Sequence, residues 1–255
     1  MARLPIEVIE TIVDFLQNDR EALKQCCLAS KSLIARTRSH LFKHVYFREP
    51  SKLRAWEGCF PDLENTPAIF TTHLEICDKS LAGKDIPSWI RSTFINVVVL
   101  GVDVRVRASN TQGVFAPFHN LLPPHVKSLA VGWRGRSIKS QEVFHFICSF
   151  PSLEDLDVSR GMGLFGTAGG FLPLPKLTGT ISLTSLQGEL IRQFLELSGD
   201  LHFREIVFSL VYIRGSLEEL VERCSGTLEC IVIRTLGDVP SKSRPHSPAH
   251  NSLRV

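Results

Sequence analysis

The 255-residue sequence contains no Cys-x-x-Cys pair and no Asn-x-Ser/Thr sequon. Its seven cysteines are an odd number, so they do not read as a secreted disulfide framework. They predict reduced thiols in the cytoplasm or nucleus, most of them serving as small core residues. No apolar run approaches the roughly 18 residues that a membrane helix needs. The first residues, MARLPIEVIE, carry charges where a signal peptide needs an unbroken apolar stretch. No membrane partner is expected. A nucleophile elbow, a phosphate-binding loop and an EF-hand are also missing.

Charge of one sign is scarce as well. The formal net charge is +3, and the excess lies in the last residues, where Lys242, Arg244 and Arg254 have no acidic counterpart. The body is balanced, so it offers no broad electrostatic footprint, and nucleic acid is not an expected partner. What is present is ordinary for a folded chain: 44% hydrophobic and 22% charged residues, enough to bury a sizeable core.

Helical periodicity fills the first 45 or so residues. Between Pro5 and Gln17, Val8, Ile9, Ile12, Val13 and Leu16 recur at steps of three and four. Ile6 and Phe15 add apolar surface outside that stripe. A helix apolar on more than one side must contact more than its own small unit. Asp19 is placed to cap a second helix carrying Leu23, Cys26 and Cys27, and Ser30 or Ser32 to cap a third carrying Leu33, Ile34, Leu41 and Phe42.

After Pro67 the texture changes. Strands are predicted at His73–Cys77, Val97–Gly101, Val126–Val131, Leu153–Val158, Thr180–Thr184, Arg204–Ser209 and Leu228–Ile233. Their starts lie 24 to 29 residues apart, a period that marks stacked repeats. Several fit Leu-x-x-Leu-x-Leu, among them Leu153-x-x-Leu156-x-Val158 and Phe203-x-x-Ile206-x-Phe208. Alternation turns the apolar positions into a core and the positions between them onto an open face. Helices are predicted between strands at Glu142–Phe150, Glu189–Leu197 and Ser216–Cys224. Loops are predicted at Arg105–Asn120 and Gly161–Pro175, and a disordered tail after Gly237.

Three motifs fail on inspection. Gly161-x-Gly163-x-x-Gly166 matches a dinucleotide fingerprint, but Gly169, Gly170, Pro173 and Pro175 follow at once and leave no room for the required helix. His40 and His44 have zinc-ligand spacing without the accompanying glutamate. Cys224 and Cys230 have no second pair nearby. No cofactor, metal or catalytic constellation is expected, and the chain does not read as an enzyme. Asp155, Asp157 and Glu205 form a possible ligand face, and a solvated strand face explains them equally well.

The segment from Leu4 to Phe47 resembles an F-box. Leu4, Pro5 and Glu7 match the opening of that family. Val8-Ile9 and Ile12-Val13 match its paired aliphatics, Asp19 the acid before its second helix, and Leu23, Cys26-Cys27 and Ser30-Lys31-Ser32 the motifs that follow. Leu33 stands where the family carries an aromatic. The remainder, with Phe150-Pro151-Ser152-Leu153-Glu154-Asp155-Leu156, resembles the degenerate leucine-rich repeats that follow the F-box in many fungal proteins.

These resemblances imply an α/β chain in four parts: an F-box-like three-helix module over 1–48, a linker helix over 49–66, a leucine-rich-repeat-like solenoid with a parallel sheet over 67–237, and the tail over 238–255. They imply a substrate-recognition subunit of a Skp–cullin–F-box ubiquitin ligase. Leu4, Pro5, Val8, Ile9, Ile12, Leu23, Cys27 and Leu33 would bind a Skp-type adaptor, and through it cullin and RING subunits. The repeats would hold an unknown protein substrate. The competing expectation is a repeat-based interaction scaffold whose first helices only cap the repeats.

Overall fold

The structure is a computed structural model that describes residues 5–62, 65–77, 86–106, 113–118, 125–160, 164–166, 175–183, 188–197, 201–209, 216–234 and 253–254. It is a mixed α/β protein built on eight parallel strands. Three helices come first: α1 (Ile6–Phe15), α2 (Arg20–Ala29) and α3 (Ile34–Leu41). The local signals act as anticipated at α2, where Asp19 Oδ1 accepts from Ala22 N at 3.0 Å. Ser30 caps a short 3-10 turn, Lys31–Leu33, that leads into α3. Pro5 serves as N-cap of α1 and provides no side-chain cap.

The eight strands are β1 (His44–Phe47), β2 (His73–Cys77), β3 (Val99–Arg105), β4 (Ser128–Arg134), β6 (Asp155–Arg160), β8 (Thr180–Leu183), β9 (Glu205–Ser209) and β10 (Cys230–Arg234), hydrogen-bonded in sequence order. Two-residue strands β5 (Ile138–Lys139) and β7 (Leu164–Phe165) pair separately, and β11 (Leu253–Arg254) closes the main sheet antiparallel to β10. Helices α4 (Pro50–Cys59), α5 (Trp89–Thr93), α6 (Ser140–Cys148), α7 (Gly188–Leu197) and α8 (Ser216–Cys224) fill the crossovers.

Register explains the core. Val45, Leu74, Leu100, Leu129, Leu156, Ile181, Ile206 and Ile231 lie side by side across the strands. Two residues on, Phe47, Ile76, Val102, Val131, Val158, Leu183 and Phe208 are buried with them. The crossover helices add Leu53, Ile90, Phe146, Ile191 and Leu220 to the same cluster. One face of the sheet is therefore covered by helices, and the alternate residues of β1 to β6 form an open face.

The predicted strands are the observed ones, but four of the later ones begin two residues late, at 99, 128, 155 and 230 rather than 97, 126, 153 and 228. The cause is visible at Val97, Val126 and Leu153: each is buried, yet sits in the turn that precedes its strand. The first apolar position of the Leu-x-x-Leu-x-Leu pattern is thus a turn residue under the sheet, and only the next two are in the strand.

β1 was not anticipated. It lies inside the expected helical module of residues 1–48 and carries the same pattern as Phe42-x-x-Val45-x-Phe47. Residues 107–112, 119–120, 161–163 and 167–174 of the two expected loops, and 238–252 and 255 of the expected tail, lie outside the described residues, while Leu253 and Arg254 of that tail form β11. Within those loops the described parts hold buried Phe115 and Phe118 and strand β7.

Of the seven thiols, all are free. Only Cys224 is fully buried and Cys59 is exposed, so most are half-buried and not core residues as expected. Among the described residues no helix is long and apolar enough to cross a membrane.

Candidate functional site

Two surfaces have the makings of a site: one flank of the first three helices and the open sheet face. The first begins with the stripe on α1, which splits in two. Val13 packs inward at 1% exposed, with Ile9 and Leu16 half-buried beside it. Val8 (43%), Ile12 (50%) and Phe15 (83%) point outward at steps of four and three, which keeps them in line on one flank. Ile6 is exposed too, and Leu28 on α2 stands 81% exposed. Isolated exposed leucines need no explanation, but three large apolar side chains in line on one flank of a ten-residue helix do.

The expected docking residues divide accordingly. Pro5, Val8 and Ile12 are exposed, Ile9, Cys27 and Leu33 are half-buried, and Leu4 lies outside the described residues. Leu23 is 1% exposed, so it supports the helices from within and presents nothing to a partner. Cys27 is tied inward as well: its Sγ is hydrogen-bonded with Thr37 Oγ1, which itself donates to Leu33 O at 2.7 Å. Phe15 had a sequence signal, since it fell outside the inward stripe. Leu28 had a weaker one, as the leucine of α2 that does not share the side of Leu23, Cys26 and Cys27.

α1 is held to α3 by charge. Asp14 accepts from Arg36 through both carboxylate oxygens, at 2.6 Å from Nε and 2.5 Å from the outer nitrogen Nη2, and Oδ1 also meets His40 Nε2 at 2.7 Å. The two Arg36 hydrogen bonds, then the His40 one, hold the Asp14 carboxyl down at about 2. Asp14 sits in the last turn of α1, where the helix dipole disfavours a carboxylate, so its value lies in this cross-helix arrangement and not in local helix stability. Its reach to α3, over 22 and 26 residues, had no sequence signal beyond His40 itself.

α3 is in turn anchored to the sheet domain. Phe42, at its C-cap, meets Trp56 and Phe60 edge-on at 5.8 and 6.1 Å, and Trp56 contacts Phe47 of β1 at 5.7 Å. Thr71 Oγ1 donates to Phe42 O at 2.9 Å.

No family model, curated protein or solved structure matches this chain.

The open sheet face gathers the predicted acidic residues. Asp155, Thr180 and Glu205 are adjacent in register, and Asp157 lies two residues up its strand, between Ala130 and Ser182. Part of this chemistry is used internally. Asp155 Oδ1 accepts from Thr180 N at 2.7 Å, and Glu205 Oε2 accepts from Thr180 Oγ1 at 3.3 Å. A β-carbon on Gly179 would collide with that same Asp155 oxygen, so the glycine makes room for the carboxylate.

Toward β1 the open face is mixed. Tyr46 is half-exposed with the Arg48 guanidinium 5.4 Å from its ring centre, Glu75 stands beside Gly101, and Asp103 is paired with Arg134 at 2.6 Å. At its centre small residues, Gly101 and Ala130, lie side by side in register. Burial, then Asp103 and Glu75, push the Cys77 thiol up, which keeps it protonated and a weak nucleophile at neutral pH. His40 belongs to the Asp14 arrangement. His44 and His73 lie with ring centres 4.2 Å apart and planes tilted by 33°, and among the described residues no group of three His, Cys, Asp or Glu is placed to hold a metal.

Proposed function

We propose that this chain is a substrate-recognition adaptor of the Skp–cullin–F-box type, docking through α1 and α2 to a Skp-type protein and offering its sheet face to a protein substrate. The observation that carries the reading is the outward stripe Val8–Ile12–Phe15 on α1, with Leu28 exposed on α2, ahead of a parallel sheet whose second face is open over β1 to β6. That is the surface expected of a unit made to be covered by an apolar partner. The order of Pro5, Asp19, Cys26-Cys27 and Ser30-Lys31-Ser32 along those helices supports the F-box assignment within it.

The function in this reading is proximity. The chain makes and breaks no bond; it raises the local concentration of substrate lysines near a charged conjugating enzyme. Substrate contact falls to the open face, where Tyr46 and Glu75 offer aromatic and acidic chemistry beside Gly101 and Ala130.

A second reading has its own support. Phe42 and Thr71 join α3 directly to the sheet core, as a cap for the end of the sheet would require. On that reading the chain is an interaction scaffold without a ligase role.

Purified full-length chain, mixed with a Skp-type adaptor and analysed by size exclusion and calorimetry, separates the two. The adaptor reading predicts a stoichiometric complex that Ile12→Asp disrupts. A monodisperse, folded wild-type chain that leaves the adaptor unbound supports the scaffold.

A further inference from the structure

The attachment of α1 is unusually thin for a helix that would carry a docking stripe. Val13 is its one fully buried residue, and its N-terminus has no side-chain cap. Its polar attachment to the rest of the chain runs through Asp14, gripped by both Arg36 nitrogens and by His40. Arg36 and His40 are one turn apart on α3, and Glu10 and Asp14 are one turn apart on α1, so two charged rows face each other. Glu10 adds to the field that raises the Arg36 pKa. α3 is secured to the sheet at Phe42, so the connection runs from sheet to α3, from α3 to Asp14, and from Asp14 to α1.

The charged row and the apolar stripe occupy different sides of α1. Positions 10 and 14 share one side and positions 8, 12 and 15 another, so the ion pairs hold the helix without covering the stripe.

We propose that Asp14, with Arg36 and His40, acts as a positioning clamp: it sets the angle at which α1 presents Val8, Ile12 and Phe15, and partner docking depends on it although none of the three residues touches the partner. The docking half of this inference rests on the adaptor reading above; the clamp itself does not.

Amide hydrogen exchange of the full-length chain, read by mass spectrometry peptide by peptide, tests the clamp first. Asp14→Asn accelerates exchange across Ile6–Phe15 by about tenfold or more while β2 to β6 keep their wild-type rates. Those strands report whether the variant is folded. Arg36→Asp gives the same pattern more strongly, because it sets a third carboxylate beside Glu10 and Asp14. The double reversal Asp14→Arg with Arg36→Asp recovers protection of α1, which a merely local loss of helix propensity at position 14 would not allow. Unchanged α1 exchange in Asp14→Asn, or no recovery in the double reversal, overturns the clamp.

Calorimetry with a Skp-type adaptor then reads the docking half. Asp14→Asn weakens binding about tenfold, and the double reversal restores it. Loosened α1 with undiminished adaptor binding overturns the dependence of docking on the clamp. A wild-type chain that binds no adaptor removes the docking half together with the adaptor reading, and the exchange result still decides the clamp.

Discussion

The turn after β4 offers a sharp test of the backbone, because two glycines of this chain should respond to the same substitution with opposite signs. Gly135 has φ +105°, a region that residues with a side chain rarely adopt, and a β-carbon built on it would lie 2.5 Å from Val106 O. Val106 cannot easily give way, since its N–H donates to Arg134 O at 2.8 Å and its side chain is buried at the end of β3. Backbone strain of this kind costs roughly 1–3 kcal/mol, and relieving the contact adds to it, so Gly135→Ala should destabilise by about 2–4 kcal/mol.

Gly58 lies near the end of α4, and a β-carbon there meets nothing within 4 Å. Gly58→Ala should be neutral to stabilising by up to about 1 kcal/mol, because alanine loses less conformational freedom on entering a helix. Urea denaturation of wild type and both variants gives the comparison directly, with the denaturant slope checked for constancy. Gly135→Ala as stable as wild type, or Gly58→Ala the more damaging of the two, would refute the backbone reasoning.

Other consequences are as direct. Phe146→Ala should destabilise by about 3–5 kcal/mol in the same denaturation assay, since the ring is fully buried and packs on Phe115, Phe118 and Phe150. Gly179→Ala should displace the Asp155 carboxylate from Thr180 N, read as faster exchange of the Thr180 amide with little change in β2 and β3. Asp14 has a depressed folded pKa, about 2 against an ordinary 3.8, so its stabilising effect is present above the ordinary value and lost as pH falls from about 4 to about 2. A carboxyl NMR titration should place the Asp14 midpoint near the lower figure, and a midpoint at the ordinary value would contradict the Arg36 and His40 contacts. Ile12→Asp should leave urea stability within about 0.5 kcal/mol of wild type, because the side chain is half exposed, while weakening adaptor binding more than tenfold.

Much of the sheet was legible because one short pattern repeats. Leu100 and Val102, Leu129 and Val131, and Leu156 and Val158 alternate with polar or small residues, and a period of two is a strong signal for a half-buried strand. Strand starts were less legible, since Val97 and Val126 are as buried as strand residues while sitting in turns. β1 was hidden by its neighbourhood: His44-Val45-Tyr46-Phe47 follows directly on α3, and the helical texture before it masked a strand pattern that begins at Phe42. β5 and β7 are two residues each, too short for any periodicity.

The docking surface was partly legible. The apolar stripe of α1 could be read from its spacing, but not which flank would pack, because that depends on where α3 lies. Leu23 and Val8 carry the same kind of side chain and ended on opposite sides of that question, one buried by α3 and its neighbours, the other left outside. The Asp14 clamp was beyond sequence reasoning, since its partners lie more than twenty residues away on another helix.

The proposed function requires that the exposed stripe of α1 dock a Skp-type adaptor. Calorimetric titration of the full-length wild-type chain with such an adaptor, alongside Val8→Asp combined with Ile12→Asp, tests it most directly. Docking through the stripe predicts one-to-one binding by the wild type and loss of binding by the double variant, with both proteins equally folded by circular dichroism. No binding by the wild type, or equal binding by the two, would contradict it.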